Sequence, residues 1–218
     1  MHHDLHISND ASTVAANAAR YVAQQARAAV ADHGRFTFAV SGGHTPWAMF
    51  AELRNEDMPW ASAELFQVDE RIAPDGDPDR NLTHLRESIG DTPAGVHPMP
   101  VTDPDLQAAA SAYATVLPHR FDLVHLGLGP DGHTASLIPG DPVLEITDAL
   151  VAMTQPYQGH RRMTLTYPAL ARADQLLWLV TGADKHDALA RLLAGDESVP
   201  AGRVLATRSL IMADEAAS

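Results

Sequence analysis

The chain has 218 residues, long enough to bury a hydrophobic core, and one domain spanning residues 1–218 is the simplest prediction. A composition of 45% hydrophobic and 20% charged residues excludes a disordered chain or a fibre, and the absence of cysteine excludes disulfides and thiolate metal sites. The formal net charge of −13 at pH 7 disfavours binding to nucleic acids or to anionic membrane surfaces.

Helical and strand patterns alternate along the chain. The first predicted helix follows Asp10, a good N-cap residue, and runs to Asp32, shortly before Gly34. The other predicted helices cover residues 46–53, 81–89, 105–117 and 183–193. The predicted strands cover residues 35–40, 64–68, 121–126, 162–166 and 175–180. We expect residues 139–161 to form a long connection and residues 213–218 to fray in part.

The predicted strands are apolar and are separated by helices, which indicates strands that are buried on both faces. This pattern predicts an α/β fold: a doubly wound, mostly parallel sheet with helices on both faces. Open parallel sheets bind ligands beyond the carboxyl ends of their strands. Four polar or glycine-rich motifs directly follow predicted strands, at residues 41–43, 69–71, 127–133 and 181–182. We therefore expect these motifs to share one site.

The first motif, Ser-Gly-Gly-His-Thr-Pro at residues 41–46, lies between a strand and a helix. Glycines permit unusual backbone angles, and free N–H groups at a helix N-terminus suit a phosphate, so the motif is typical of an anion cradle. An ordinary tight turn that needs glycine only for packing is the alternative. The motif is neither a P-loop nor a dinucleotide fingerprint.

The second motif, Asp69-Glu70-Arg71, places two carboxylates and a guanidinium at a strand end. The guanidinium fork suits a phosphate or a carboxylate, although an exposed charged turn is the simpler interpretation of this motif taken alone. Residues 75–79 superficially resemble a calcium loop but lack the later glycine and glutamate, so we expect a mobile loop there.

The third motif, Gly-Leu-Gly-Pro-Asp-Gly-His-Thr-Ala-Ser-Leu at residues 127–137, is the strongest signal, and we expect its glycine-rich turn to open a helix. It brings Asp131 and His133 to a strand end. An imidazole is available in its neutral, proton-accepting form near neutrality, so His133 is the candidate general base. A histidine with only a capping or hydrogen-bonding role is the alternative, and His44 is more simply a bystander.

Arg162 and Lys185 are the remaining basic candidates, because each lies beside one of these segments. Alone, each is more simply a solvated surface charge. A phosphate bound to so acidic a protein nevertheless needs compensating cations nearby.

Together these motifs resemble the 6-phosphogluconolactonases of the glucosamine-6-phosphate isomerase/6-phosphogluconolactonase family, over residues 36–193. The resemblance also includes Asn81, Pro139-Gly140, Arg162-x-Thr164 and the Thr-Gly-x-x-Lys run at residues 181–185. Related glucosamine-6-phosphate deaminases typically carry Asp-Glu-Tyr and His-Ile-Ala-Phe-Asn, where this chain has Asp-Glu-Arg and His-Thr-Ala-Ser-Leu. Both differences favour the lactonases.

The resemblance implies hydrolysis of 6-phospho-D-glucono-1,5-lactone to 6-phospho-D-gluconate in the oxidative pentose phosphate pathway, without metal or cofactor. It assigns the chemistry to Asp131 and His133. The residues that it implies for substrate and phosphate binding are Ser41, Gly42, Gly43, Thr45, Asp69, Arg71, Asn81, Arg162 and Lys185. The chain departs from the family pattern at His44 and Arg80, where we expect a bulkier rim and one more cation.

Two other functions remain open at this point: a deaminase or isomerase of the same fold, and a non-catalytic sugar-phosphate sensor. The sensor is disfavoured because it has no need of His133, and because the chain has no room for a partner domain. The expected partner is a small phosphosugar lactone, with no nucleic acid and no membrane. We expect a cytoplasmic protein that is a monomer or a weak homo-oligomer.

Overall fold

A seven-stranded parallel sheet organises the chain, with a small antiparallel sheet beside it. In the computed structural model, which describes residues 2–218, the strands are β1 (Asp4–Ser8), β2 (Phe36–Val40), β3 (Ala63–Gln67), β4 (Asp69–Arg71), β5 (Gly95–His97), β6 (Leu123–Gly127), β7 (Val151–Met153), β8 (Arg162–Leu165), β9 (Gln175–Val180) and β10 (Arg208–Asp214). The helices are α1 (Ala11–His33), α2 (His44–Leu53), α3 (Asn81–Ile89), α4 (Leu106–Val116), α5 (Tyr167–Leu170) and α6 (His186–Leu193). Shorter 3-10 turns lie between them.

The strand order of the large sheet is β1-β10-β9-β6-β2-β3-β5, and every neighbouring pair is parallel. From β2 the chain moves outward through β3 to β5. It then returns to the other side of β2 as β6 and moves outward again through β9 and β10. The direction of winding therefore reverses between β2 and β6, and such a switch point leaves a crevice at the carboxyl ends of the two strands. The predicted doubly wound fold is confirmed.

Alternate side chains of each strand point to opposite faces, which divides the core into two layers. Phe36 and Phe38 of β2 pack with α1 and α2 on one face. Ala39, between Phe38 and the strand end, packs on the other face, in the layer that holds α4 and α6. All five residues of β2 are buried, as expected for a strand covered on both sides.

Helix α1 follows the pattern that its sequence predicts. The Asp10 side chain accepts a hydrogen bond from the Thr13 N–H at 2.7 Å, which satisfies one of the free donors of the first turn. The helix ends at Gly34, which has the left-handed conformation with φ 85°. Its alanine-rich face is buried against the sheet.

The small sheet has the order β4-β8-β7 and is antiparallel. The predicted strand at residues 162–166 belongs to this sheet and not to the parallel one, and Asp69–Arg71 is itself a strand, not a turn. Arg71 lies opposite Arg162 in the register. This sheet therefore brings together two cations that are 91 residues apart in the chain.

The C-terminus differs from its prediction. Residues 208–214 form β10, which is hydrogen-bonded between β1 and β9, and the expected fraying from residue 213 is wrong. Ala213 is fully buried and Ala217 is 1% exposed. The small and polar residues of the terminus predicted fraying, but pairing with β1 and β9 decides the structure of this segment. Among residues 2–218 there is no helix with the length and apolar character that crossing a membrane requires.

Candidate functional site

Two adjoining cavities open at the carboxyl ends of β2 and β6, where the winding of the sheet reverses. The first cavity has a volume of about 250 Å³ and is lined by Ser41, Gly42, Asp69, Arg71, Asn81, Gly127, Leu128, Gly129, Pro130, His133, Ala135, Gln158, Arg162 and Lys185. The second cavity, of about 360 Å³, is lined by Gly43, His44, Trp47, Arg71, Pro78, Asp79, His84, Gln158, His160 and Arg162. Arg71, Gln158 and Arg162 line both.

The glycine turn after β2 leads directly into α2, which begins at His44, two residues before the predicted start. Gly43 has φ 134°, a conformation that few side chains tolerate. A methyl group at Gly42 would overlap the side-chain amide of Asn81. Glycine is therefore needed here for close approach as well as for the turn.

His125, on β6, holds the start of this turn from inside the sheet. The Ser41 N–H donates to His125 Nδ1 at 3.3 Å. The imidazole is fully buried, and burial lowers its pKa to about 3, so the ring is neutral and carries its proton on Nε2. Nε2 has no hydrogen-bond partner within residues 2–218.

The glycine-rich segment after β6 is irregular and does not open a helix, so that prediction was wrong. The Thr134 hydroxyl donates to the Gly127 carbonyl at 2.8 Å, and the Ser136 N–H donates to the Thr164 hydroxyl at 3.2 Å. Ala135 adopts a positive φ of 49° and lines the first cavity. Side-chain hydrogen bonds replace the helical ladder and fix the shape of the turn.

Asp131 and His133 form a close pair. His133 Nδ1–H donates to Asp131 Oδ1 at 2.5 Å, and the His133 backbone N–H donates to the same oxygen at 3.1 Å. Burial alone would raise the pKa of Asp131, but these hydrogen bonds and the imidazole outweigh it and lower the pKa from its ordinary value. Since Nδ1 is engaged as a donor, Nε2 is left as the proton-accepting nitrogen of the ring. The His133 side chain is 19% exposed and lines the first cavity, so its ring is accessible to water.

Asp69 connects the small sheet to the second glycine-rich segment. Its Oδ2 accepts from the Ser136 hydroxyl at 2.6 Å, and its backbone carbonyl accepts from Asn81 Nδ2 at 3.0 Å. Arg71 Nη1 donates to Asn81 Oδ1 at 2.5 Å and to the Asp79 carbonyl at 3.0 Å. Asn81 is thereby held between Asp69 and Arg71.

Glu70, the middle residue of the second motif, points away from the cavities and caps α3. Its Oε1 accepts from the N–H groups of Arg71 and Asn81, each at 2.8 Å. Its Oε2 accepts from the Leu82 N–H at 2.9 Å. A buried carboxylate at a helix N-terminus stabilises the partial positive charge there and fixes the first residue of α3, Asn81, beside the site.

Arg80 supplies neither the expected rim nor the expected additional cation, because it lines neither cavity. Its side chain is 3% exposed, with Nε 3.0 Å from Glu70 Oε2, and its Nη1 donates to the Ala73 carbonyl at 2.8 Å. The guanidinium neutralises the buried Glu70 carboxylate. The other departure from the family pattern, His44, is exposed and lines the second cavity.

Arg162 is 4% exposed as a residue and extends between the two cavities. Burial lowers its pKa, and the nearby Asp69 carboxylate opposes that effect. The guanidinium lies 5.2 Å from the centre of the Tyr157 ring. Tyr157 in turn packs edge-on against His133, with ring centres 5.6 Å apart, and its hydroxyl donates to Asp131 Oδ2 at 3.4 Å.

Lys185 follows β9, the neighbour of β6 on the side away from β2, and it lines the first cavity. It lies after the Thr181-Gly182 turn, whose Gly182 N–H donates to both carboxylate oxygens of Asp214 at 3.0 and 3.1 Å. The Lys185 ammonium is 2.9 Å from Asp184, which is exposed. Asp214, at the end of β10, thus fixes the turn that presents the lysine.

Most of the residues expected at the site are brought together. Those that line the first cavity are Ser41, Gly42, Asp69, Arg71, Asn81, His133, Arg162 and Lys185. Gly43 lines only the second cavity, whereas Thr45 lines neither and hydrogen-bonds to Thr181 through its hydroxyl at 2.6 Å. Asp131 lines neither cavity and is hydrogen-bonded to His133. No group of three or more histidine, aspartate or glutamate side chains in residues 2–218 is arranged to hold a metal ion.

The sequence patterns did not single out four residues that shape the site: His125, Tyr157, Gln158 and Asp214. His125 interrupts an otherwise apolar strand, which was an available signal. Tyr157 and Gln158 lie in the expected long connection, where no local pattern marked them. Asp214 was placed in the terminus that was expected to fray.

Comparison with known proteins assigns the family. Residues 9–212 match the model of the family described as glucosamine-6-phosphate isomerases/6-phosphogluconolactonase. The 6-phosphogluconolactonase of Mycobacterium tuberculosis is 36% identical over 224 residues, covering 92% of this chain and 91% of that protein. The 6-phosphogluconolactonase of Synechocystis is 36% identical over 180 residues, covering 76% of this chain and 75% of that protein.

The fold agrees with this assignment. The crystal structure of the Thermotoga maritima 6-phosphogluconolactonase superposes with a TM-score of 0.88 at 25% identity, covering 97% of this chain and 99% of that one. The chain belongs to the glucosamine-6-phosphate isomerase/6-phosphogluconolactonase family.

Proposed function

We propose that the protein hydrolyses 6-phospho-D-glucono-1,5-lactone to 6-phospho-D-gluconate, the lactonase step of the oxidative pentose phosphate pathway. One observation carries the proposal. A histidine with its Nδ1–H committed to a carboxylate lines the same cavity as two arginines and a lysine. That combination offers one proton acceptor for water and three cations for a phosphate, which are the two requirements of this substrate.

The phosphate is held by the cations Arg71, Arg162 and Lys185 and by backbone N–H groups of the Ser41–Gly43 turn at the start of α2. Charge-assisted hydrogen bonds to phosphate are the stronger kind, and the helix N-terminus adds a partial positive charge. The local cations offset the formal charge of −13. Holding the phosphate also fixes the lactone ring, so the attack by water is nearly intramolecular.

The chemistry uses His133 as a general base and then as a general acid. Its Nε2 accepts a proton from water while the water oxygen bonds to the lactone carbonyl carbon, giving a tetrahedral oxyanion. When the carbonyl re-forms and the ring C–O bond breaks, the imidazolium returns that proton to the departing ring oxygen, which becomes a hydroxyl group. The new carboxylic acid then loses its proton to water, which gives 6-phospho-D-gluconate. Asp131 holds the imidazole in the required tautomer and stabilises its charged form, in the manner of other carboxylate–histidine pairs.

A coupled assay tests the proposal directly. Purified 6-phosphogluconate dehydrogenase reports 6-phosphogluconate as it forms, and the spontaneous opening of the lactone is measured without this protein and subtracted. We expect a rate above that background that is proportional to protein concentration. A rate indistinguishable from the background would refute the proposed function.

Two further measurements test for a deaminase and for a metal requirement. Ammonia release from glucosamine 6-phosphate would identify a deaminase, and we expect none, because Arg71 and the His133–Leu137 sequence favour the lactonases. A chelator should leave lactone hydrolysis unchanged; loss of activity would require the histidines to be reconsidered as metal ligands.

A single domain spanning residues 1–218, a cytoplasmic location and a monomer or weak homo-oligomer remain predictions.

A further inference from the structure

We infer that the side chain of Gln158 contacts the bound sugar and discriminates between phosphosugar lactones by their ring hydroxyl groups. This inference rests on the proposed function and adds a specificity-determining residue to the site. Gln158 lines both cavities, and it is the uncharged side chain that they share with Arg71 and Arg162. A sugar hydroxyl needs partners that donate and accept hydrogen bonds, and a carboxamide offers both.

The backbone at Gln158 is held in a conformation that its residue type disfavours. Gln158 has φ 49° and Gly159 has φ 85°, and together they form a two-residue hairpin turn between Tyr157 and His160. Turns with positive φ at both central residues favour asparagine or glycine at the first of them. A glutamine here is destabilising by about 1 kcal/mol relative to glycine. Strain of this kind is frequent where a side chain is needed at a ligand site.

The hairpin tip is anchored on both sides of Gln158. The Tyr157 hydroxyl donates to Asp131, and His160 Nε2 lies 2.9 Å from Asp79 Oδ2. The two backbone hydrogen bonds between Tyr157 and His160 measure 2.9 and 3.2 Å. The position of Gln158 is therefore set by its neighbours, and its own side chain is not required to hold the turn.

One hydrogen bond orients the Gln158 carboxamide. Arg162 Nη2 donates to Gln158 Oε1 at 3.4 Å. Oε1 is thus directed towards the guanidinium, which leaves the two N–H donors of Nε2 for another partner. These donors are uncharged, whereas the other donors of the first cavity wall include Arg71, Arg162 and Lys185. The charged groups suit the phosphate, and the amide suits a neutral oxygen of the sugar.

The experiment compares Gln158→Gly and Gln158→Asn with the wild type, using Gln155→Asn as the matched control. Gln155 is an exposed glutamine that precedes the same hairpin and lines neither cavity. Two measurements are needed: kcat/KM for the gluco-configured lactone and for an epimeric 6-phospholactone such as the galacto form, and the thermal midpoint. The ratio of the two kcat/KM values reports the discrimination.

We expect both Gln158 variants to lower kcat/KM for the gluco-configured lactone by about 3- to 10-fold, the size of one neutral hydrogen bond. The preference over the epimer should fall by a similar factor. The thermal midpoint should stay equal or rise by about 2–4 °C for Gln158→Gly, because glycine relieves the strained φ. Gln155→Asn should change none of these quantities.

An unchanged selectivity ratio in both variants would overturn the inference, as would a loss of activity that merely follows a loss of thermal stability. If the wild type has no lactonase activity, the proposed function fails. The inference is then tested by calorimetric binding of 6-phosphogluconate to the wild type and to Gln158→Gly. Weaker binding by the variant would support the contact, and equal or absent binding would overturn it.

Discussion

The two glycine-rich turns at the centre of the sheet are built in different ways and contribute different chemistry. The turn after β2 passes at once into α2, so it presents backbone N–H groups at a helix N-terminus. The turn after β6 is irregular and held by side-chain hydrogen bonds, so it presents His133 and its partner Asp131. We therefore propose a division between the two turns. The first turn binds the phosphate, and the second turn carries the residues that catalyse hydrolysis.

Replacing the histidine that each motif carries tests this division most strongly. His133→Ala should lower kcat by about 10²- to 10⁴-fold with little change in KM, because the proton acceptor is lost while the phosphate contacts remain. His44→Ala, at the first residue of α2 directly after the first turn, should leave kcat within a few-fold of the wild type. Steady-state kinetics of both variants decide the matter, and a wild-type kcat for His133→Ala would remove His133 from the reaction.

Removing the cations should affect binding more than chemistry. Arg162→Ala and Lys185→Ala should each raise KM by about 10- to 100-fold, as expected for charge-assisted hydrogen bonds of roughly 1.5–3 kcal/mol, while kcat changes less. Arg161→Ala is the matched control, since Arg161 neighbours Arg162 but lines neither cavity. An unaltered KM in both test variants would contradict the phosphate clamp.

Adding one methyl group to a glycine of each turn should separate the two kinetic constants. In Gly42→Ala the methyl overlaps Asn81, which holds Arg71, so KM should rise by about 5- to 20-fold. In Gly129→Ala the methyl overlaps the His133 ring, so kcat should fall by about 10-fold or more. Each variant serves as the control for the other. If both changed the same constant, the division between the turns would not hold.

His125 lies on β6, the strand that leads into the second turn, and it accepts a hydrogen bond from Ser41 of the first turn. Its protonation has a smaller expected effect, which is a loss of unfolding free energy. The unfolded chain binds a proton on this imidazole below about pH 6.5, whereas in the folded protein the pKa is about 3. Stability is therefore lost as the pH falls below 6.5. Between pH 7 and pH 5 the wild type should lose about 2 kcal/mol more unfolding free energy than His125→Leu. Urea unfolding at both pH values measures this difference. Equal losses would show that His125 is protonated in the folded protein at pH 5 and that its pKa is not lowered.

Local sequence patterns predicted the elements that the large sheet needs. The alanine-rich stretch between the Asp10 cap and Gly34 predicted α1, and the apolar runs predicted β2, β3, β6 and β9. These signals are local, because a strand buried on both faces must be apolar throughout and a helix must end its hydrogen bonds somewhere. They did not predict β1 or β10, whose pairing depends on strands far away in the chain.

The motif residues of the site were also predictable from the sequence, because side chains of these types in such motifs have few functions. A histidine and an aspartate beside glycines at a strand end, and cations in an acidic chain, indicate binding and catalysis wherever the fold brings them together. Their partners were not readable. Nothing near Glu70 in the sequence indicates that it caps α3, and nothing near Arg80 indicates that it is buried against Glu70.

The sequence by itself determined the fold class, the predicted general base and the predicted cations, because hydrophobic period and side-chain chemistry are properties of short segments. Only the tertiary structure decided that β8 leaves the parallel sheet to pair with β4, which puts Arg162 opposite Arg71. It also decided that residues 157–160 form a hairpin against His133 and Asp131. Such contacts depend on the winding of strands that are many residues apart, and no local interaction energy encodes that winding.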